Sequence, residues 1–262
     1  MGGRRIAMTG PCAAALHRLD GFRGHDWPTR FVAPATGKGA ADIIRTRRWF
    51  EPIEIDGLLV APVRTVLRHL DCGPWSRPGD EMSELDRAEL AVEHALRMQW
   101  ATPADIRCRG GRTAGDELLR GVRDLRGDEP ATESYAETRA VQLFRSFGWR
   151  PWRQLPVMQF GRIVHRVDFV LPFVDRARRP AMLRPTHGLL IEIDSEEHHE
   201  ARFHEDHERQ ATYDALGYHW VTVTPRQIES RPDLVCESIE GALGRASPKT
   251  SRGQRPPIVS RR

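Results

Sequence analysis

A chain of 262 residues has room for two modest domains, and its 39% hydrophobic and 29% charged residues exclude a disordered or fibrous protein. No run approaches the ~20 apolar residues of a membrane-spanning helix. The net charge of +4 is spread unevenly, +6 over residues 1–50, −7 over 51–245 and +5 over 246–262, so a pI near 9.2 does not describe the body of the chain.

Met1-Gly-Gly-Arg-Arg is followed by a weakly apolar stretch carrying His17, Arg18 and Asp20, a poor secretory signal. The basic ends add non-specific phosphate affinity or are simply solvated. Only Lys38 and Lys249 are lysines among 40 basic residues, a bias that fits a GC-rich genome better than selection for bidentate phosphate contacts. Cys12, Cys72, Cys108 and Cys236 are scattered without Cys-x-x-Cys spacing, which predicts reduced thiols and a cytoplasmic protein, with neither zinc ribbon nor disulfide framework.

From the N-terminus, Cys12 to Leu19 reads as a helix, and Arg30–Pro34 and Ile53–Val60 read as strands. Asp56-Gly57, between Ile53-Glu-Ile and Leu58-Leu-Val, is the strongest hairpin-turn signal in the chain. Pro62 to Leu70 has helical apolar spacing. Ser83-Glu-Leu-Asp86 has capping-box form and opens a helix to Arg97, whose Leu85, Ala88, Ala91, Val92, Ala95 and Leu96 share one face. Thr102-Pro-Ala-Asp opens a short helix with proline at its first position. Arg109-Gly-Gly-Arg and Gly127-Asp-Glu-Pro-Ala are breaks, and a domain boundary is expected near Asp128.

In the second half, Thr132 can cap a helix from Glu133 to Phe147, stopped by Gly148. Leu155–Phe160 and Ile163–Leu171 are strands that turn at Gly161. Residues 175–185 form a basic loop. Gly188-Leu-Leu-Ile-Glu-Ile-Asp is the apolar run of a covered central strand. A helix from Ala201 to Leu216, a strand from Tyr218 to Thr224 and a helix from Pro232 to Leu243 complete the order α-β-β-β-α-β-α. From Ala246 onward nothing is left to bury, and disorder is expected.

The chemistry lies in the carboxylates. Strand alternation puts Glu192 and Asp194 on one face and Ile191 and Ile193 on the other. Two carboxylates on an otherwise apolar strand are costly unless a cation or guanidinium offsets them. Asp168, in Arg166-Val-Asp-Phe-Val-Leu, has the same setting. If the two strands are neighbours, Asp168 and Glu192 converge on an oxygen-rich site suited to Mg²⁺ or Mn²⁺. The competing reading is a structural salt-bridge network with Arg166 and Arg209.

Taken in order, Glu133-Ser-Tyr-Ala-Glu-Thr-Arg, Arg166-Val-Asp-Phe, Ile191-Glu-Ile-Asp-Ser-Glu-Glu-His-His, Phe203-His-Glu-Asp-His-Glu-Arg and Gly217-Tyr-His-Trp-Val-Thr-Val-Thr resemble actinobacterial proteins that end in the domain of unknown function 559. That domain is similar to the very-short-patch-repair (Vsr) endonucleases of the PD-(D/E)xK superfamily, and the resemblance covers nearly all of 132–243. It implies an α/β, restriction-endonuclease-like domain with a mixed central sheet. It also implies a metal-dependent deoxyribonuclease in which Glu137, Asp168 and Glu192 serve the metal. Asp194 matches an aspartate of the family's Glu-Val-Asp-Gly segment, and His198 or His199 the histidine that follows it. Phe203, Asp206 and Arg209 match the helix behind the site. The superfamily's usual lysine is here Asp194, as in the Vsr-like branch, where a histidine is thought to serve in acid–base chemistry; His198 and His199 fit that role or form an exposed polar turn. The family's glycine is here Ser195.

Met8-Thr-Gly-Pro-Cys-Ala-Ala-Ala-Leu-His and Pro62-Val-Arg-Thr-Val-Leu resemble the central region of abortive-infection AbiEi-type antitoxins, without room before Met8 for the winged helix that usually precedes it. The expected organisation is an antitoxin-like, smaller and mainly helical region with a β-hairpin at 1–127, a Vsr-like domain at 128–245 and a basic tail at 246–262. DNA is the implied partner, with a second copy of the chain or a toxin as further candidates. The alternative function is a non-catalytic DNA-binding or antitoxin-type regulator that keeps the nuclease fold as scaffold.

Overall fold

The computed structural model describes residues 6–23, 27, 29–35, 43–47, 49–71, 82–107, 113–173, 179–194 and 199–246, the side chains of 199–206 excepted. The chain is of mixed α/β class with two mixed sheets and divides into two compact units, Met1–Tyr135 and Ala136–Arg262. The division falls a few residues past Asp128, at the start of a helix. Among the described residues no helix is long and apolar enough to cross a membrane.

Unit 1 contains β1 (Ala7–Thr9), α1 (Gly10–Leu16), β2 (Arg30–Pro34), β3 (Ile43–Thr46), β4 (Ile53–Ile55), β5 (Leu58–Val60), α2 (Val63–Val66), a 3₁₀ turn (Leu67–His69), α3 (Glu84–Arg97), α4 (Pro103–Ile106) and α5 (Ala114–Arg126). The expected hairpin is present: β4 and β5 pair antiparallel through Asp56 and Gly57, both at positive φ, 51° and 77°. Such a turn matches the twist of the strands it joins, and glycine adopts it without strain. The expected hairpin does not stand alone: it is one edge of a five-stranded sheet ordered β3-β2-β1-β5-β4. β1 is three residues long and joins the two halves, antiparallel to β2 and parallel to β5. Ser83 caps α3 as expected, its side chain accepting from Asp86 N–H at 3.0 Å. The glycine-rich stretch before Thr113 is followed at once by α5, which Thr113 and Asp116 open with a reciprocal capping box.

Unit 2 contains α6 (Tyr135–Ser146), β6 (Trp152–Gln159), β7 (Arg162–Pro172), a 3₁₀ turn (Pro185–His187), β8 (Gly188–Ile193), α7 (His199–Ala215), β9 (Trp220–Val223), α8 (Pro225–Ser230) and α9 (Pro232–Ala246). The expected order holds with α8 added before the last helix. Thr132 is not the cap of α6: that helix starts three residues later, and the Thr132 N–H donates to Glu93 at 3.1 Å. Ala246 is also a correction, since it is buried as the last residue of α9; residues 247–262 lie outside the described residues.

The sheet runs β6-β7-β8-β9, antiparallel except for the parallel pair β8 and β9, which α7 connects. Each face has its own core. Phe169, Leu171, Leu189 and Ile191 pack with Ala140 and Phe144 of α6 and with Val235 and Ile239 of α9. Phe144 meets Phe169 edge-on at 5.5 Å. Trp152, Leu155, Val170 and Leu190 pack on the other side with Tyr213 of α7 and with Tyr218. Truncating Phe169 would cost roughly 3–5 kcal/mol. Gly188 lets β7 and β8 close up: a Cβ there would lie 2.4 Å from the Leu171 carbonyl oxygen.

Candidate active site

β7 and β8 are neighbours, with Phe169 opposite Ile191 and Pro172 opposite Gly188. One more step of that register places Asp168 opposite Glu192. The ladder does not take the step: backbone pairing stops at Phe169 and Ile191, and side chains take over. The Ile193 N–H donates to Asp168 Oδ2 at 2.8 Å. The two carboxyls lie within hydrogen-bonding reach of each other. The strands therefore part where the acids sit, and the Asp168 carboxylate takes a donor that the ladder has released.

α7 closes the site. The Tyr213 hydroxyl donates a hydrogen bond to Glu192 Oε1, and Arg209 Nη1, one turn earlier, lies 3.6 Å from Glu192 Oε2. Glu192 is 7% exposed. Burial, and the Glu192 charge across from it, push the Asp168 carboxyl up to about 8, against the Ile193 hydrogen bond and Arg209. Burial also raises Glu192, opposed by the Tyr213 hydrogen bond, by Arg209 and by Asp168. The Tyr213 hydroxyl is raised in turn by burial and by Glu192. Burial thus favours the protonated form of Asp168 near neutral pH, beside Glu192.

Glu137 of α6 is buried and accepts from Gln154 Nε2 at 3.1 Å. Gln154 stands on β6 opposite Asp168 in the register of β6 and β7, with its backbone at φ 52°. Glu137 is thus linked to the Asp168 strand through Gln154. Among the described residues no group of three or more His, Cys, Asp or Glu is arranged to hold one metal ion. Asp194 follows β8, half-buried, its N–H donating to the Val223 carbonyl oxygen at 3.0 Å. His198 lies outside the described residues, as does the side chain of His199, whose backbone opens α7. Arg209 does meet Glu192, the arginine contact that sequence reasoning set against catalysis. Arg166 is exposed.

Three neighbours escaped the sequence reading. Tyr213 stands one helical turn beyond Arg209, so the spacing Arg209-x-x-x-Tyr213 puts both on one face. Gln154 carries no sequence signal, because its role depends on the strand opposite. His165 of β7 meets the Tyr213 ring edge-on at 5.9 Å, and its pKa is lowered by burial and then by Arg209.

The donor set at the pair is two hard carboxylate groups whose burial favours a bound proton. A divalent cation can take the place of that proton, and Mg²⁺ commonly rests on one or two carboxylates with waters and phosphate oxygens completing its shell. The residues present fit such an ion. In comparisons with models of protein families, with curated proteins and with solved structures, the chain finds no match.

Proposed function

We propose that unit 2 is a metal-dependent DNA endonuclease of the Vsr-like PD-(D/E)xK class, with a restriction-endonuclease-like fold, hydrolysing phosphodiester bonds. The observation that carries this reading is the cross-strand pair: Asp168 and Glu192 face each other where β7 and β8 part, at the edge of a dry core. The α-β-β-β-α-β-α order and the motif resemblance point the same way.

Asp168 and Glu192 are the residues that would hold Mg²⁺ or Mn²⁺. When bound, such an ion supplies charge neutralisation at a phosphoryl oxygen and a water of lowered pKa. Tyr213 and Arg209 hold Glu192 in one orientation, and the Ile193 N–H does so for Asp168. Glu137 acts through Gln154 as a positioning residue behind Asp168. His198 or His199 moves a proton at the strand end, with Asp194 in the place of the superfamily's lysine.

The test uses purified full chain with Mg²⁺ or Mn²⁺ and plasmid, nicked and mismatched DNA, run beside Asp168→Ala. Cleavage by the wild type and its loss in the variant are expected. Equal cleavage by both would end the assignment.

A second reading has its own support. Glu192 already accepts from Tyr213 and lies near Arg209, and Asp168 already accepts from Ile193, which suits a scaffold in a non-catalytic DNA-binding or antitoxin-type regulator. DNA binding that depends on salt but ignores both metal and Asp168→Ala would favour it.

A further inference from the structure

Unit 1 holds a cavity of about 440 Å³ that has no part in the carboxylate site. One wall is aromatic: Trp49 and Phe50, both half-buried against the unit's core, stack on each other at 4.7 Å and 16°. The opposite chemistry comes from Arg64 and Arg68, exposed and four residues apart along α2 and the turn after it. Among the described residues, neither guanidinium has an ion pair or hydrogen bond. Two like charges side by side at this spacing repel unless an anion joins them.

The acid in the same wall offsets only part of the two guanidinium charges: the Thr102 hydrogen bonds first, and then the charges of Arg64 and Arg68, hold the Asp105 carboxyl below its usual range. Asp105 Oδ2 accepts from Thr102 N–H at 2.9 Å and from Thr102 Oγ1 at 2.7 Å as the box that caps α4. His69 also lines the cavity, with Nδ1 bonded to Thr9 Oγ1 at 2.8 Å and Nε2 without a partner among the described residues. Burial lowers its pKa, so it enters as a neutral ring that can bond a polar edge.

We infer that this cavity binds a nucleotide unit, a planar base joined to a phosphate, taken either as a free mononucleotide or as one residue of a single strand. An aromatic wall alone would suit any flat apolar molecule, and paired arginines alone any anion. Their combination in one cavity selects a ligand that carries both, and the volume falls within the ~300–1,000 Å³ of small-molecule sites. Base stacking on aromatic side chains with basic groups along the backbone is how strands are held without sequence preference.

The experiment is calorimetric titration of the full chain, without divalent metal, using deoxyadenosine monophosphate, deoxyadenosine, inorganic phosphate and a single-stranded oligonucleotide of about ten residues. The double variant Arg64→Gln, Arg68→Gln is run alongside; both side chains are exposed, so folding is preserved. Saturable binding of the mononucleotide, weakened at least about tenfold in the double variant, supports the site and assigns it to free nucleotides. Binding of the oligonucleotide alone, with the same loss, supports it and assigns it to a strand. Inorganic phosphate binding as tightly as the nucleotide would overturn the inference by removing any part for the aromatic wall. It would also be overturned if neither nucleotide ligand bound saturably, or if the double variant bound undiminished.

Discussion

The two units bury acids in opposite ways. In unit 1, Glu93 is fully buried and accepts from Arg126 Nε at 3.2 Å and from the Thr132 N–H at 3.1 Å. Asp20 there meets Arg97 Nη2 at 2.7 Å and Arg23 Nη2 at 3.1 Å. His94 touches Asp20 too, but burial lowers its pKa and its Nδ1 accepts the Asp20 N–H, so the arginines are the ion partners. In unit 2, Asp168 and Glu192 face each other with one guanidinium 3.6 Å from Glu192. The first arrangement is complete as built. The second carries less opposite charge, and burial raises both acids.

The sharpest way to break this comparison is to remove one acid from each unit. Asp168→Ala should lower metal-dependent DNA cleavage about a thousandfold or more, since a metal's charge stabilisation is worth several kcal/mol, and should leave the unfolding midpoint at neutral pH nearly unchanged or higher. Glu93→Ala should do the reverse. It strands Arg126 in the core of unit 1 and should cost about 3 kcal/mol or more in urea unfolding, with cleavage per folded molecule unchanged. If Glu93→Ala left stability untouched, paired and facing acids would not differ as argued.

Next in size is a pH effect. The folded Asp168 pKa of about 8 lies above its ordinary 3.8, so the folded state holds the proton more tightly than the unfolded chain. Its contribution to stability is complete below the unfolded pKa and is lost as pH rises through the folded one. The metal-free protein should therefore lose stability between about pH 4 and 8, on the order of a few kcal/mol, read from thermal midpoints. Asp168→Asn should flatten that slope. Added Mn²⁺ should restore the wild type at pH 8, because the ion replaces the proton, and should leave the variant unmoved. A wild-type slope equal to the variant's would show that the pair does not store charge.

These outcomes depend on contacts of unequal legibility. Asp56-Gly57 and the Ser83 cap are visible in sequence because turn and cap chemistry is local. Asp168 and Glu192 are visible as acids in apolar runs, and their convergence follows once β7 and β8 are adjacent. The sheet of unit 1 was missed because β1 is three residues long and β3 four, too short for alternation to register. α5 was missed because Gly110 and Gly111 read as a break, although Thr113 and Asp116 spell out a helix start. Gln154 and His165 depend on what lies across the sheet, which no local pattern encodes. That the side chains end the β7–β8 ladder at Phe169 is likewise a property of two strands together.

The smallest expected effect bears most directly on how the pair is held. Tyr213→Phe keeps the ring that packs with Trp152 and Leu190 and removes only the hydroxyl that donates to Glu192. The stability cost should be about 1 kcal/mol, since one hydrogen bond is lost and no cavity forms. The informative change is elsewhere. The Tyr213 bond opposes the rise in the Glu192 pKa, so its loss should lift that pKa further. Mn²⁺ binding, which must displace the proton, should then need higher pH in the variant, with the binding curve displaced upward and the limiting affinity at high pH reduced much less. A role for Tyr213 in packing alone predicts the same stability cost with no displacement along the pH axis, so titrating Mn²⁺ at several pH values separates the two.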